Sequence, residues 1–415
     1  MTGLTFVKRR EFLTRGLGLV GVGAVIPSFL VRSALADAAA QPGEKVAVLL
    51  QLGGGHDALS ALVPYGLAEY GKARKATRIN DDEVIKLNDE LGLHPKLSGF
   101  KELFDQGAFA ALPGIGYPNP NYSHFTAQDI YHTGDEQAAS QPFGWVGRAC
   151  DHAFQGNLDP KLAIAVGTGK TPRALMGREH PGLSFNVPES YRYTGDRGDA
   201  TRNAVYQKLN QAPNGLAANL SFISQTAVNA NASSELIRQL GSSYQSKVEY
   251  PNTGLAHNLR NIAALIVGGL STRIYFTEQG GYDTHSGQRA GHDNLMTQLN
   301  DAVAAFYKDL TAQGHAQRVL TFTATEFGRR VLENGSLGTD HGAAAAQFLF
   351  GPGVKPGIHG QHPSLADAEL LGGGGGSLKH TTDFRSVYAT ILEKWLGTPS
   401  EPVLGQQYPL IDCIA

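Results

Sequence analysis

The chain has 415 residues and two cysteines, enough length for one large domain or two ordinary ones. Its 35 Lys and Arg stand against 37 Asp and Glu, a formal net charge of −2, and no basic stripe with interleaved aromatics occurs, which argues against a nucleic-acid partner. Past the N-terminal region no segment is apolar enough to span a membrane.

The N-terminus reads as a leader. Lys8, Arg9 and Arg10 form a basic n-region, Leu17–Val31 an apolar h-region, and Ala34-Leu35-Ala36 an A-x-A cleavage site. Arg9-Arg10 followed by Glu11-Phe12-Leu13 resembles the twin-arginine export pattern. That route carries folded proteins, so it implies the twin-arginine machinery as a partner and a periplasmic or secreted place for residues 37–415. The apolar run is shorter than the ~20 residues a span needs and is broken by Gly and Pro; a retained anchor is the alternative. Cleavage after Ala36 takes away five basic side chains (Lys8, Arg9, Arg10, Arg15, Arg32) and one acid (Glu11), moving the formal charge from −2 to −6.

Lys45–Leu52, KVAVLLQL, is a Val-rich apolar run closed by Gly53-Gly54-Gly55 and reads as a buried strand of a parallel sheet. His56 and Asp57 follow its carboxyl end. Pro95–Gln106 has a helical pattern and Phe109–Leu112 a strand pattern. PNPNYSHFTAQDIYHTGD then sets Ser123 at the head of a helix over His124–Thr133. Ser123 has two readings: an N-cap bonding a nearby backbone N–H, or a hydroxyl beside anion-favouring N–H groups that a metal would ionise into a nucleophile. Leu162–Val166 reads as the next strand. The adjoining AVGTGKTPR imitates a phosphate-cradling loop, but Ile164 stands where that pattern needs Gly and Pro172 stops the following helix, so nucleotide binding is rejected. Residues 185–250 are polar and strand-poor and read as a helical cap over the sheet.

The helix–strand rhythm resumes with helix Leu255–Gly268, strand Arg273–Thr277, helix Gly291–Gln313, strand Arg318–Ala324, strand Gln347–Phe350 and helix Asp383–Leu396, with Gly372–Gly376 a flexible glycine loop. Strands alternating with helices predict an α/β fold, a doubly wound sandwich. Asp283 and His285 follow one strand, Glu326 directly follows another, and Asp340 and His341 stand in GTDHG. Ligands of open α/β sheets bind beyond the strands' carboxyl ends, and carboxylates and imidazoles gathered there are what Zn²⁺, Mn²⁺, Mg²⁺ or Ca²⁺ requires. Singly, each has a plainer reading: Asp57 a helix cap, Glu326 an ion-pair partner of Arg329 or Arg330, His285 a turn residue, Asp340 a turn cap. His56 ranks lower because adjacent side chains after a strand point apart. Cys150 and Cys413 are either paired or two separate buried thiols.

In this order, GGGHDALSALVPY, NYSHF with HTGD, GGYDTHSGQ, TEFGRR, GTDHG and HTTDFRSVYATILEKWLG resemble the exported bacterial family "domain of unknown function 1501", over nearly all of residues 37–415. That family is itself similar to the alkaline phosphatase and sulfatase superfamily. The resemblance implies an α/β/α sandwich around a mostly parallel sheet and hydrolysis of phosphate or sulfate esters at one or two divalent metals. It places a metal-binding acid on Asp57, the nucleophile on Ser123 with His124 beside it, a metal-binding acid and histidine on Asp283 and His285, and a last histidine on His380 or His359. Where the superfamily has Asp-His-Gly, this chain has Glu326-Phe327-Gly328, and Asp340-His341-Gly342 comes later. Either a loop brings those ligands back or the metal complement differs. The expected function is an exported metal-dependent ester hydrolase, with Asp57, Asp283, His285, Glu326, Asp340 and His341 in one cleft and Ser123, not Ser60, reacting. The alternative is a non-catalytic exported protein of the same fold, acting in cell-surface assembly or polymer binding.

Overall fold

The computed structural model describes residues 44–155, 159–191, 201, 205 and 233–415. The leader, residues 1–36, lies outside them, as does most of the expected cap; of the cap's described part, residues 233–243 are helical. Among the described residues no helix is long and apolar enough to cross a membrane.

Among the described residues nine strands form one sheet: β1 (Val46–Gly53), β2 (Phe109–Gly116), β3 (Ala163–Val166), β4 (Leu183–Phe185), β5 (Ile274–Gly280), β6 (Val319–Ala324), β7 (Ala345–Phe350), β8 (Gly357–Ile358) and β9 (Thr382–Asp383). Their order is β8-β2-β7-β6-β1-β5-β3-β4, with β9 also on β2. β1 is central and pairs in parallel with β5 and β6, which is why it is apolar on both faces. Alternate β1 side chains go to opposite cores. Val46, Val48 and Leu50 pack with helices α1 (Ser98–Asp105), α4 (Gly254–Val267) and α5 (Gln288–Ala312). Ala47 and Leu49 pack with α2 (His124–Thr133), α3 (Trp145–Ala153) and α6 (Phe384–Thr390). The result is the expected α/β/α sandwich around a mostly parallel sheet.

β7 departs from the parallel reading of its sequence. It runs antiparallel to both β6 and β2, and an antiparallel neighbour needs no crossover helix. An apolar run such as AAQFLF has no direction of its own, so only the pairing decides it. β7 therefore starts at the edge where β1, β5 and β6 end, and the residues before it arrive at that edge too. Cys150 and Cys413 are both free and buried.

Candidate metal centre

The turns after β1, β5 and β6 and the segment that enters β7 bring ligand-type side chains to this edge. The turn after β1 is forced by Gly54 (φ 118°) and Gly55 (φ 77°), left-handed backbone that L side chains avoid. It also lets two loops approach: a Cβ on Gly54 would stand 2.5 Å from the Asp283 amide nitrogen. The Gly54 N–H donates to Glu326 Oε1 at 2.9 Å.

Arg329, 1% exposed, ties these loops together. Its guanidinium donates to the carbonyls of Gly54, Gly55, Tyr282 and Thr339 and to Asp283 Oδ1 at 2.7 Å. Burial by itself would raise the Asp283 carboxyl, but the hydrogen bond and positive charge of Arg329 outweigh it and hold it at about 2. Arg329 thus pairs with Asp283, whereas sequence proximity suggested Glu326.

Three histidines surround Asp283, each with one nitrogen already committed. His124 Nδ1 lies 2.8 Å from Glu326 Oε1, His285 Nδ1 3.1 Å from Asp340 Oδ1, and His341 Nδ1 2.8 Å from the Tyr122 carbonyl. An acceptor at each Nδ1 assigns the proton there and leaves each Nε2 with a lone pair. All three Nε2 atoms turn toward one carboxylate: His285 and His341 are 3.0 and 3.1 Å from Asp283 Oδ1, and His124 is 3.5 Å from Oδ2. His285 Nε2 and His341 Nε2 are themselves 3.0 Å apart. Acceptors packed this closely repel unless a cation lies among them. One ligand atom from each of His124, Asp283 and His341 falls within 4.8 Å of the others, close enough to share an ion. Imidazoles steadied through the second nitrogen by carboxylate or carbonyl are the usual supporting arrangement of a metal site, and Phe327 packs its ring on those of His124 and His341 at 4.9 and 4.5 Å between centroids.

Backbone pairing carries the later Asp-His-Gly back to the site. Arg329 and His341 form an antiparallel bridge, and Gly328 and Gly342 are joined by a hydrogen bond, so the segment after β6 folds back and returns Asp340 and His341 to the β5 ligands. A Cβ on Gly328 would meet the Ala344 carbonyl oxygen at 2.0 Å, which explains glycine there.

Of the sequence-predicted residues, Asp283, His285, Asp340, His341 and His124 come together, and Glu326 stands behind His124 with its oxygens turned to His124, Gly54 and Thr325. Asp57 stands outside the group: it is 1% exposed and its oxygens accept from Arg74 at 2.7 and 3.1 Å, from Ser60 at 2.7 Å and from Gln288 at 2.5 Å. Burial raises its carboxyl, but Arg74 more than offsets this and holds it far below the carboxylate range. Ser60 is buried in the same network. His56 is buried and stacks on His292, ring centroids 5.6 Å apart, with burial lowering it to about 4. His380 lies beside Gly116 at the end of β2 and outside the group; His359 Nε2 faces the Lys355 carbonyl. Ser123 sits at the α2 N-cap, exposed, with no side-chain capping bond. Sequence reading missed Arg74, Gln288 and the Tyr122 carbonyl. An Arg buried in a chain of this charge gives no local signal, and a backbone carbonyl that accepts from a histidine gives none at all.

Gly54→Ala should displace the Asp283 loop and weaken Zn²⁺ binding by about 10- to 100-fold, the range seen when a metal's supporting shell is disturbed. Calorimetric titration of folded protein with Zn²⁺ checks this, and affinity equal to the parent would show that the loops are not coupled.

A family model described as "Protein of unknown function (DUF1501)" matches residues 44–395. No curated protein matches the chain by sequence. Among solved structures it is similar to a protein of the alkaline phosphatase superfamily from Vibrio parahaemolyticus (8% identity, 94% of this chain and 78% of that one, TM-score 0.38). It is likewise similar to the PsFucS1 sulfatase from Pseudoalteromonas sp. (9%, 88% and 68%, 0.37). A third is the alkaline phosphatase from the Antarctic bacterium TAB5 (11%, 76% and 94%, 0.33).

Proposed function

The chain belongs to the DUF1501 family, and from the geometry of its cleft we propose that it is an exported, metal-dependent hydrolase of phosphate or sulfate esters. The observation that carries the reading is the convergence of three Nε2 atoms on Asp283, each Nδ1 already held. A donor set of imidazoles and one carboxylate suits Zn²⁺ or Mn²⁺ better than Mg²⁺ or Ca²⁺, which prefer oxygen ligands. Such an ion, when bound, polarises the ester's non-bridging oxygen and lowers the pKa of a neighbouring hydroxyl.

The remaining work falls to this chain's own groups. Glu326, Asp340 and the Tyr122 carbonyl orient the imidazoles, and Arg329 keeps Asp283 ionised. Ser123 is flanked by Tyr122, whose carbonyl holds His341, and by His124, whose ring lies 4.5 Å from that of His341. Its hydroxyl is not spent on capping, and the N–H groups opening α2 favour an anion's oxygens. Ser123 Oγ gives its proton to solvent and bonds to phosphorus or sulfur as the bond to the alcohol oxygen breaks. That oxygen leaves with the electron pair and is protonated by solvent. Water then adds to phosphorus or sulfur, breaks the bond to Oγ, returns a proton to it and releases phosphate or sulfate. One observation favours the non-catalytic alternative. Asp57, a metal acid by resemblance, is committed to Arg74.

Metal-stripped protein should regain hydrolysis of p-nitrophenyl phosphate, p-nitrophenyl sulfate or bis(p-nitrophenyl) phosphate on adding Zn²⁺ or Mn²⁺. Asp283→Asn should lower metal affinity more than about 100-fold, beyond the effect of a supporting group. Parent-like affinity in that variant would remove the site. For export, Arg9→Lys with Arg10→Lys should leave an uncleaved cytoplasmic precursor, read by fractionation and N-terminal sequencing; normal export of the double variant refutes the route.

A further inference from the structure

Of the nine exposed large apolar side chains among the described residues, four lie on the two segments that carry His124 and His341. Tyr122 and Phe125 flank Ser123 and His124, and Phe125 is 85% exposed on the first turn of α2. Leu332 and Leu337, both exposed, lie on the loop that returns His341. Leu337 is tied to the centre through Asn334, whose side chain donates to the His285 carbonyl and to Asp340 Oδ1 while its backbone carbonyl accepts from Leu337 N–H. Leu337 is also held at φ 59°, a left-handed conformation that leucine disfavours. Strain of this kind gathers at functional sites. An apolar side chain placed in water at such cost needs an apolar partner.

Resting on the ester-hydrolase reading, we propose that the substrate is an amphiphile: its anionic ester head lies at the metal centre and its alkyl or acyl part lies across Tyr122, Phe125 and Leu337. Aliphatic Leu337 favours a hydrocarbon chain over a sugar, which stacks on aromatic faces and calls for hydrogen-bonding neighbours. The half-exposed Asp283, His285 and Asp340 leave the centre open to a head that remains attached to a long tail.

Calorimetric binding to the Zn²⁺-loaded protein, with dodecyl phosphate below its micelle concentration against ethyl phosphate, tests this. Dodecyl phosphate should bind at least about 10-fold tighter, as expected once a few methylenes leave water. Phe125→Ser with Leu337→Asn, Asn being tolerant of φ 59°, should abolish that preference while ethyl phosphate and Zn²⁺ bind as before. Equal binding of both phosphates to the parent, with both lost in Asp283→Asn, overturns the amphiphile and leaves the metal centre standing. Glucose 1-phosphate binding tighter than dodecyl phosphate overturns it in favour of a saccharide. Failure of the Zn²⁺-loaded protein to bind any of the three, or dodecyl sulfate, removes the ester-hydrolase reading, and the amphiphile with it.

Discussion

Ser123→Ala should cut ester turnover by about three orders of magnitude or more, the loss expected when a nucleophile is removed and binding groups remain. Its fold and Zn²⁺ affinity should stay those of the parent. The separation is possible because the hydroxyl makes no capping bond, so the variant should lose less than the ~1 kcal/mol that a working Ser cap contributes. Steady-state kinetics beside urea unfolding read both quantities. Unchanged turnover with ~1 kcal/mol lost would mark Ser123 as a cap after all. A parent with no turnover on any ester tried would hand the lead to the non-catalytic reading.

Arg74→Met should destabilise the protein by about 3–5 kcal/mol, because it leaves a buried carboxylate without its counter-charge. Arg74 and Asp57 are both essentially inaccessible, and the pair is bidentate at 2.7 and 3.1 Å. Arg74 also donates to the carbonyls of Val331 at 2.6 Å and Arg330 at 2.8 Å, so its loss loosens the start of the loop that returns His341. In the parent, the Asp57 carboxyl is depressed below its unfolded value, so its contribution is complete above about pH 4 and fades as pH falls below that. In the variant Asp57 takes up a proton more readily, and the gap between variant and parent should narrow on acidification. Adding Asp57→Leu should recover part of the loss by removing the unpaired charge. Chemical unfolding at pH 7 and pH 5 measures all three. A single variant within about 0.5 kcal/mol of the parent, the range of an ordinary surface change, would mean that the pair is not structural.

Much of this protein was legible in its residues. The six apolar runs became β1, β2, β3, β5, β6 and β7, and the five helical patterns became α1, α2, α4, α5 and α6, because burial periodicity is a local property. Short β4, β8 and β9 were not foreseen, since two or three paired residues carry no period; the nine-residue helix α3 was missed although its buried positions Trp145, Val146, Ala149 and Cys150 keep a helical spacing. The types of the metal-centre residues were legible as well, because Asp, Glu and His placed after strands point to the sheet's carboxyl edge.

What the sequence by itself determined is therefore the layered α/β fold, the edge at which chemistry collects, and which side chains are available there. Tertiary structure alone decided their roles. Asp57 and Asp283 both follow strands of the same sheet, yet Arg74 closes over one and three imidazoles turn toward the other. Glu326 holds His124 from behind, and the antiparallel entry of β7 returns His341 to Asp283. A carboxylate's function follows from the charges and hydrogen-bond donors within a few ångströms of it, and those come from residues up to 272 positions away, as with Glu326 and the Gly54 N–H.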